Sequence, residues 1–306
     1  ETARFHGDMI ALNTRPVFAE PHATKWVAEM VELVETLEAK GHTYVVDGTV
    51  FFDVSTFDSF GAMSGYDEST MVEYAAERGG RPDDPRQRNP LDFILWQPSL
   101  DDEPSWPSPW GPGRPGWHIE CSAMSKGTLG PTLDLHGGGS DLIFPHHECS
   151  RAQSEAANGV AFVNHWMHAG MVAYQGTKMS KSLGNLVFVS ELVKTADPRA
   201  IRLALMRHHY RSDWEWFDSD IDTASAMLDR LHRAAHAPTG PDPDRYADRV
   251  RAALDNDLDA PAALHALMEL ADAILEGGDD PTAPTLLREL GALVGVELDA
   301  APSPLI

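Results

Sequence analysis

The sequence predicts an α/β fold that is followed by a C-terminal helical bundle. From Gly116 onwards, short apolar runs interrupted by glycine and histidine alternate with stretches of helical periodicity, a pattern typical of α/β layers. After Asp218 only the helical periodicity continues, to about Val296, and a Pro/Gly/Asp-rich linker at 238–244 divides it. No internal repeat is visible along the chain.

The first residues already carry an amphipathic pattern, with apolar side chains at Phe5, Met9, Ile10 and Leu12. There is no initiator methionine before this pattern. We therefore expect the sequence to be the C-terminal part of a longer chain.

A helix and a hairpin are predicted next. Apolar residues recur at helical spacing over 26–37, and Gly41 is expected to end that helix. Two short strands, 44–46 and 50–54, flank an Asp47-Gly48 turn, which is a strong local indication of a β-hairpin. Residues 79–116 are rich in Gly, Pro and Asp and are predicted to be mostly loop.

Composition limits the class of protein. The chain has 306 residues, of which 42% are hydrophobic and 23% charged, enough for one large or two ordinary cores. No apolar run in the sequence is long enough to cross a bilayer, and no signal peptide opens it. Two cysteines, Cys121 and Cys149, cannot build a disulfide framework, so we expect a cytoplasmic protein without a membrane partner.

The charge balance argues against nucleic acid as a partner. The formal net charge is −23, and the region from Asp218 onwards contains six arginines, no lysine and eighteen acidic residues. Such a surface repels a phosphate backbone, whereas an RNA-binding module is normally basic. We interpret this region as an acidic helical bundle and expect a monomer that acts on small molecules.

The segment "GTKMSKSLGN" (176–185) carries the clearest chemistry. It places Lys178 and Lys181 three residues apart in a glycine-flanked loop, with small hydroxyl side chains between and after them. Mobile ammonium groups of this kind can neutralise charge that develops on a departing polyphosphate. The alternative from these residues alone is an ordinary solvated basic loop.

Three segments together resemble the cysteine branch of the class I aminoacyl-tRNA synthetases. They are "GRPGWHIECSAMS" (113–125), "LDLHGGGSDLIFPHHE" (133–148) and "KMSKSLGN" (178–185), in the order and at the spacing of that branch. The resemblance implies a Rossmann-like nucleotide-binding domain that an insertion interrupts. Residues 1–112 would be the end of its first half plus the insertion, 113–217 its second half, and 218–306 the helical domain.

The resemblance also implies ligand-binding residues. Trp117 would contact the amino acid, Gly139, Ser140 and Asp141 would hold the adenylate, and Val172 would meet the adenine. A glycine-rich stretch allows the backbone to approach a nucleotide, and a carboxylate can accept hydrogen bonds from ribose hydroxyls. Without its neighbours, "HGGGSD" reads equally as a bare turn.

The segment "FPHHECS" (144–150) raises the question of a metal. In the cysteine branch, Cys121 and His146 align with zinc ligands, and a further cysteine ligand is expected upstream of this sequence. Without that context, a cysteine and a histidine this far apart are more often structural. The zinc would select cysteine, since a thiolate binds zinc far better than the hydroxyl of serine. The tRNA synthetases use a further glutamate, and Ser150 stands at that position.

Four features resemble the mycothiol-pathway ligases, relatives of this branch that join cysteine to the amine of glucosaminyl-inositol. They are Ser150, "ERGGRP" (77–82) where the ligases have ERGGDP, "HAGM" (168–171), and the lack of a basic region after the helices. This resemblance implies that Mg-ATP and L-cysteine form a cysteinyl-adenylate, with Lys178 and Lys181 neutralising phosphate charge. No cysteine of the chain is expected to form a thioester.

Two alternatives stay open. One is a catalytic fragment of a cysteinyl-tRNA synthetase, and the other is a non-catalytic paralogue that binds an adenylate. The HIGH-type motif, the first signature of the class, is not found in the sequence. We expect it upstream, and we expect the 306 residues alone not to turn over substrate.

Overall fold

The computed structural model describes residues 2–180 and 183–302. The chain divides into two compact units, each with its own hydrophobic core. The middle unit is Val17–His168, and the terminal unit combines Glu1–Pro16 with Ala169–Ile306. The boundaries at 112 and 217 that the resemblance implies stay predictions.

The middle unit begins with the predicted helix and hairpin, and both are confirmed. The Asp47-Gly48 turn has positive φ at both residues, 49° and 74°, which matches the conformation that this dipeptide favours. Strand pairing is antiparallel throughout, in the order β1-β2-β3-β4. These elements are α2 (Val27–Ala39), β1 (Thr43–Val46), β2 (Thr49–Phe52), α3 (Glu68–Glu77), β3 (Phe93–Gln97) and β4 (Arg114–Pro115).

The prediction that 79–116 is mostly loop is confirmed, and within this segment the structure adds two short strands, β3 and β4, that the sequence analysis did not predict. β3 pairs with β2 and β4, and its residues Phe93, Leu95 and Trp96 are buried in the core. The apolar run "FILW" is only four residues long and stands among prolines and aspartates, so the composition of the surrounding segment predicts a loop there.

The second part of the middle unit contains the segments with the resemblance. Its elements are α4 (Trp117–Leu129), β5 (Leu133–Gly139), α5 (Glu148–Asn158) and β6 (Val163–Ala169), with a 3-10 turn at Ser140–Leu142 and a wider helical turn at Ile143–His147. Strands β5 and β6 form a separate two-stranded sheet. Helices α2, α4 and α5 pack together, and Met30, Ile119 and Ala152 are fully buried among them.

The terminal unit consists of a three-stranded sheet and helices. The sheet has the order β8-β7-β9, and β7 and β9 are parallel. Its elements are α1 (Thr2–Ala11), β7 (Val172–Tyr174), β8 (Thr177–Lys178), α6 (Val189–Leu192), α7 (Pro198–Met206), β9 (Trp214–Trp216), α8 (Ser219–Ala235), α9 (Asp244–Asp255), α10 (Ala260–Glu276) and α11 (Ala283–Leu293).

The predicted C-terminal bundle is confirmed as helices α8 to α11. Apolar side chains of all four helices are buried in one core, which α7 also joins, and Leu228, Val250, Leu270 and Leu287 are fully enclosed. Within the described part of the chain, no helix combines the length and apolar character that a membrane span requires.

Gly116, directly before α4, allows that helix to start in contact with β3. A methyl group on its Cα would lie 1.9 Å from the carbonyl oxygen of Ile94. Its φ of −71° is accessible to any residue, so the requirement for glycine here comes from space alone. The first residue of the helix, Trp117, takes its position from this close approach.

We predict that Gly116→Ala destabilises the protein by about 1–3 kcal/mol, because the backbone of β3 cannot retreat from the added methyl group. Urea denaturation followed by tryptophan fluorescence measures this change. Gly137→Ala is the matched control, since its methyl group would meet the carbonyl oxygen of Met167 at an ordinary 3.7 Å. Equal denaturation midpoints for the two variants would contradict the steric account.

Candidate active site

Three side chains of the middle unit meet at the start of α4. The indole ring of Trp117 stacks on the imidazole of His146, with ring centroids 4.2 Å apart and planes inclined by 16°. The Nδ1 atoms of His118 and His146 are 2.9 Å apart and share a hydrogen bond. The structure therefore brings together Trp117, predicted to contact the amino acid, and His146, predicted to bind a metal.

His146 lies in the turn Ile143–His147 and is 4% exposed. Burial lowers the pKa of His146 to about 4, and burial together with His146 lowers the pKa of His118 to about 3. Both rings are therefore uncharged at neutral pH. A neutral imidazole is the form that binds a metal ion, and a hydrogen bond to one ring nitrogen orients the other toward the ion.

Cys121 lies on α4 three residues after His118 and four after Trp117, so the three side chains share one helix face. Burial, and to a smaller extent Glu120, raises the pKa of Cys121 to about 11. The thiol is therefore protonated unless a cation stabilises the thiolate. In residues 2–180 and 183–302, no group of three or more metal-binding side chains is assembled. The described residues thus supply two of the predicted zinc donors and not a complete set.

The neighbours of His146 on α5 are fully enclosed. Cys149 belongs to the core of the middle unit, and burial raises the pKa of its thiol, which makes it unreactive. Glu148 accepts hydrogen bonds from the backbone amides of Met63 and Ser64, at 3.1 and 2.8 Å. The hydroxyl of Ser150 is buried and has no hydrogen-bond partner among the described residues.

The predicted adenylate residues follow the end of β5. Gly139 is the last residue of the strand, and Ser140 and Asp141 begin the 3-10 turn after it. One position earlier, a methyl group on Gly138 would lie 2.7 Å from the ring of His147. The glycine run thus lets a histidine ring pack directly against the strand, which the bare-turn interpretation does not require.

Arg78, which sequence reasoning missed, holds this segment in place. Its Nη1 donates hydrogen bonds to the carbonyl oxygens of Asp141, at 2.8 Å, and Phe144, at 2.5 Å. Arg78 caps α3 inside "ERGGRP", so one guanidinium joins the insertion to the adenylate segment and to the turn that carries His146. Its partners are more than sixty residues away in the sequence, so no local sequence pattern predicts that Arg78 makes these hydrogen bonds.

A second histidine cluster was also missed. His147 Nδ1 and His168 Nε2 share a hydrogen bond of 2.8 Å, and the ring of His136 packs edge-on against His147. Burial lowers the pKa of all three, that of His147 to about 3. Together with His118 and His146, these rings make up five clustered histidines whose pKa values burial lowers, so that they are mainly uncharged at neutral pH.

The terminal unit contains the remaining predicted residues. Val172 begins β7, pairs with Trp214 of β9 and packs against the core of that unit. Lys178 is exposed on β8. Lys181 lies outside the described residues, so its predicted role rests on the resemblance alone.

The side chain of Asn185, the last residue of "KMSKSLGN", is hydrogen-bonded to several residues of the lysine-containing loop. Its Oδ1 accepts a hydrogen bond from the Ser180 amide at 2.9 Å. Its Nδ2 lies within 3.2–3.3 Å of the Thr177 hydroxyl and of the carbonyl oxygens of Tyr174 and Lys178. One carboxamide thus connects both ends of the loop, a role that was not assigned to Asn185 from the sequence.

Comparison with known proteins identifies the family. The family described as "tRNA synthetases class I (C) catalytic domain" matches residues 1–226. The fold agrees with that of Mycobacterium tuberculosis methionyl-tRNA synthetase in complex with methionyl-adenylate, at a TM-score of 0.63 and 18% identity, over 95% of this chain and 75% of that one. At this identity the likeness concerns the fold alone.

Curated relatives are much more similar in sequence. A protein of Streptosporangium roseum named "L-cysteine:1D-myo-inositol 2-amino-2-deoxy-alpha-D-glucopyranoside ligase" is 49% identical over 97% of this chain and 74% of its own length. A protein of the same name from Thermobifida fusca is 48% identical, over 96% and 73%. The chain therefore belongs to the class I (C) tRNA-synthetase catalytic-domain family, and within it to the family of these cysteine ligases.

Proposed function

We propose that this protein joins L-cysteine to the amine of glucosaminyl-inositol in an ATP-dependent reaction that passes through cysteinyl-adenylate. The observation that carries the proposal is the 49% identity, over nearly the whole chain, to a relative whose name states these two substrates. Two structural features also support the proposal. They are the exposed indole of Trp117 and the glycine-rich end of β5.

In the first step, the carboxylate of cysteine attacks the α-phosphorus of ATP, and pyrophosphate leaves. The Mg²⁺ that accompanies ATP neutralises part of the phosphate charge. Trp117 contacts the amino acid, residues 139–141 hold the adenylate and Val172 meets the adenine. Lys178 and Lys181 neutralise the charge that develops on pyrophosphate, which is how basic groups lower the barrier of phosphoryl-type transfers.

In the second step, the amine of the sugar attacks the carbonyl carbon of the adenylate. A C–N bond forms, the bond from carbonyl carbon to phosphate oxygen breaks, AMP leaves with the electron pair, and the amine loses a proton. No side chain becomes covalently attached. The chain contributes by positioning the reactants, which can supply much of the rate enhancement in a two-substrate reaction.

Cys121 and His146 are, in this proposal, two of the ligands of a zinc ion. Their donor types suit zinc, and because Nδ1 of His146 is hydrogen-bonded to Nδ1 of His118, Nε2 is the ring nitrogen that would bind the ion. When bound, zinc would distinguish the thiol of cysteine from the hydroxyl of serine.

We also propose a cytoplasmic monomer whose partners are ATP, cysteine and the sugar. Two unpaired cysteines support a reducing compartment. A net charge of −23 supports a small-molecule acceptor over tRNA, since the acidic surface disfavours a polyanion.

The proposal predicts which acceptor receives cysteine. Purified full-length enzyme supplied with ATP and cysteine should form a cysteinyl amide with glucosaminyl-inositol and release AMP, with mass spectrometry identifying the product. A parallel reaction with cysteine-specific tRNA is expected to give no aminoacylated tRNA. The opposite pair of results would assign the chain to a synthetase, and adenylate binding without either product would make it a non-catalytic binder.

Zinc content tests the two proposed ligands independently of turnover. The full-length enzyme should contain about one zinc per chain, and Cys121→Ser should lose it because a hydroxyl binds zinc poorly. Cys149→Ala is the matched control and should keep the metal, since Cys149 is enclosed in the core. Elemental analysis measures both variants, and full zinc occupancy in Cys121→Ser would refute the assignment.

Asn185→Ala is expected to slow cysteine-dependent ATP–pyrophosphate exchange about 10- to 100-fold, because the lysine loop loses the side chain that fixes its geometry. The KM for cysteine should change little. Asn164→Ala, at an exposed position of β6, serves as the matched control. If both variants exchange at the wild-type rate, the loop does not depend on this carboxamide.

A further inference from the structure

One short hairpin of the terminal unit carries two of the residues assigned to adenylate formation. Val172 begins β7, and Lys178 ends β8. The two strands are antiparallel, with Ala173 opposite Lys178, and the amide of Met179 donates to the carbonyl oxygen of Val172 at 3.2 Å. The register of this hairpin therefore sets where the lysine lies relative to the residue assigned to the adenine.

The strand that carries the lysine has few backbone partners. β8 is two residues long, and among the described strands it pairs only with β7. Such short strand pairs are marginally stable in water without further contacts. A slip of one residue in the register would turn Lys178 to the opposite face, because side chains alternate along a strand. The position of this lysine thus depends on what fixes the turn of the hairpin.

The turn has an unfavourable residue at its first position. Gln175 and Gly176 connect the paired residues Tyr174 and Thr177. Both turn residues have positive φ, 56° and 74°. Two-residue hairpin turns of this conformation favour asparagine, aspartate or glycine at the first position. Glutamine adopts the conformation less readily, because its Cβ comes close to the following carbonyl oxygen, so the local sequence alone does not secure this turn.

Glu215 supports the turn from the neighbouring strand β9. Its backbone lies opposite Ala173 in the parallel pairing of β7 and β9. Its half-buried side chain accepts a hydrogen bond from the Gly176 amide, at 2.7 Å from Oε1. A hydrogen bond from an amide to a carboxylate is about twice as strong as one between neutral groups. The carboxylate therefore restrains the turn residue that lies two positions before Lys178.

Glu215 and Asn185 act on different parts of the hairpin. The carboxamide of Asn185 lies within hydrogen-bond distance of the carbonyl oxygens of Tyr174 and Lys178, on the two strands. The carboxylate of Glu215 instead binds the amide of Gly176, inside the turn. Asn185 therefore does not replace the contact that Glu215 makes.

We propose that Glu215 is a positioning residue for adenylate formation, because it holds the turn of this hairpin and so fixes the position of Lys178. The assignment rests on the proposed function and deepens it, since it names a side chain that acts on the reaction through another residue. It gives Glu215 no role in the transfer of cysteine to the sugar amine, because pyrophosphate has left before that step.

Full-length Glu215→Ala should form the adenylate more slowly. The rate of cysteine-dependent ATP–pyrophosphate exchange at saturating substrates is expected to fall about tenfold, with the KM values for ATP and cysteine within about twofold of wild type. Transfer of cysteine from synthetic cysteinyl-adenylate to glucosaminyl-inositol should keep the wild-type rate. Glu215→Gln retains a side-chain oxygen that accepts the amide hydrogen bond, so it should keep most of the exchange rate.

A second substitution tests the turn directly. Gln175→Asn places at the first turn position a residue that this conformation favours. Combined with Glu215→Ala, it should restore much of the lost exchange rate, which a general loss of stability would not allow. Hydrogen–deuterium exchange measured by mass spectrometry should be faster for the amides of residues 172–178 in Glu215→Ala, and slower again in the double variant.

Glu276→Ala is the matched control, because Glu276 is an exposed glutamate at the end of α10 in the same unit, and it should exchange at the wild-type rate. An unchanged exchange rate in Glu215→Ala, or an equal loss in exchange and in transfer from the adenylate, overturns the positioning role while the ligase function stands. Equally lowered melting temperatures in Glu215→Ala and Glu215→Gln, without rescue by Gln175→Asn, also overturn it. If the wild-type enzyme catalyses no exchange, the proposed function falls and this role with it.

Discussion

The candidate active site depends on the contact between the first turn of α4 and the buried His146. Trp117 stacks on this ring and His118 hydrogen-bonds to it, so one imidazole fixes two consecutive residues of the helix. The helix itself is fixed from the other direction by Gly116, whose lack of a side chain lets it touch β3. Because protein interiors are closely packed, neither contact can loosen without moving the other.

The five clustered histidines of the middle unit fill space by packing as uncharged rings, and they add no charge to the site. Five rings pack among themselves and against tryptophans, and burial keeps them neutral. Neutral rings add no charge to the site, so a cation would be held there only where donor atoms converge. This agrees with a reaction that relies on orientation of the reactants more than on acid–base groups within the chain.

Local features of the fold could be predicted from the sequence, and features made by distant contacts could not. The Asp47-Gly48 hairpin and the C-terminal helices follow from turn chemistry and periodicity, which act over a few residues. The roles assigned to residues 139–141 and to Lys178 stay predictions, which were made because whole strings resemble a family. Arg78 was missed because it acts on carbonyl groups far along the chain, and main-chain acceptors have no sequence signature. Leu12, which shares a core with helices almost two hundred residues later, shows the same limit.

The double hydrogen bond of Arg78 has a consequence for how the turn at 78–81 can change in evolution. The turn 78–81 cannot be lengthened or shortened without displacing the carbonyl groups of Asp141 and Phe144, and with them the nucleotide segment and the ring of His146. Insertions and deletions, the usual means by which loops acquire new partners, are therefore unfavourable here. Changes in this turn should therefore proceed by exchanging side chains at constant length.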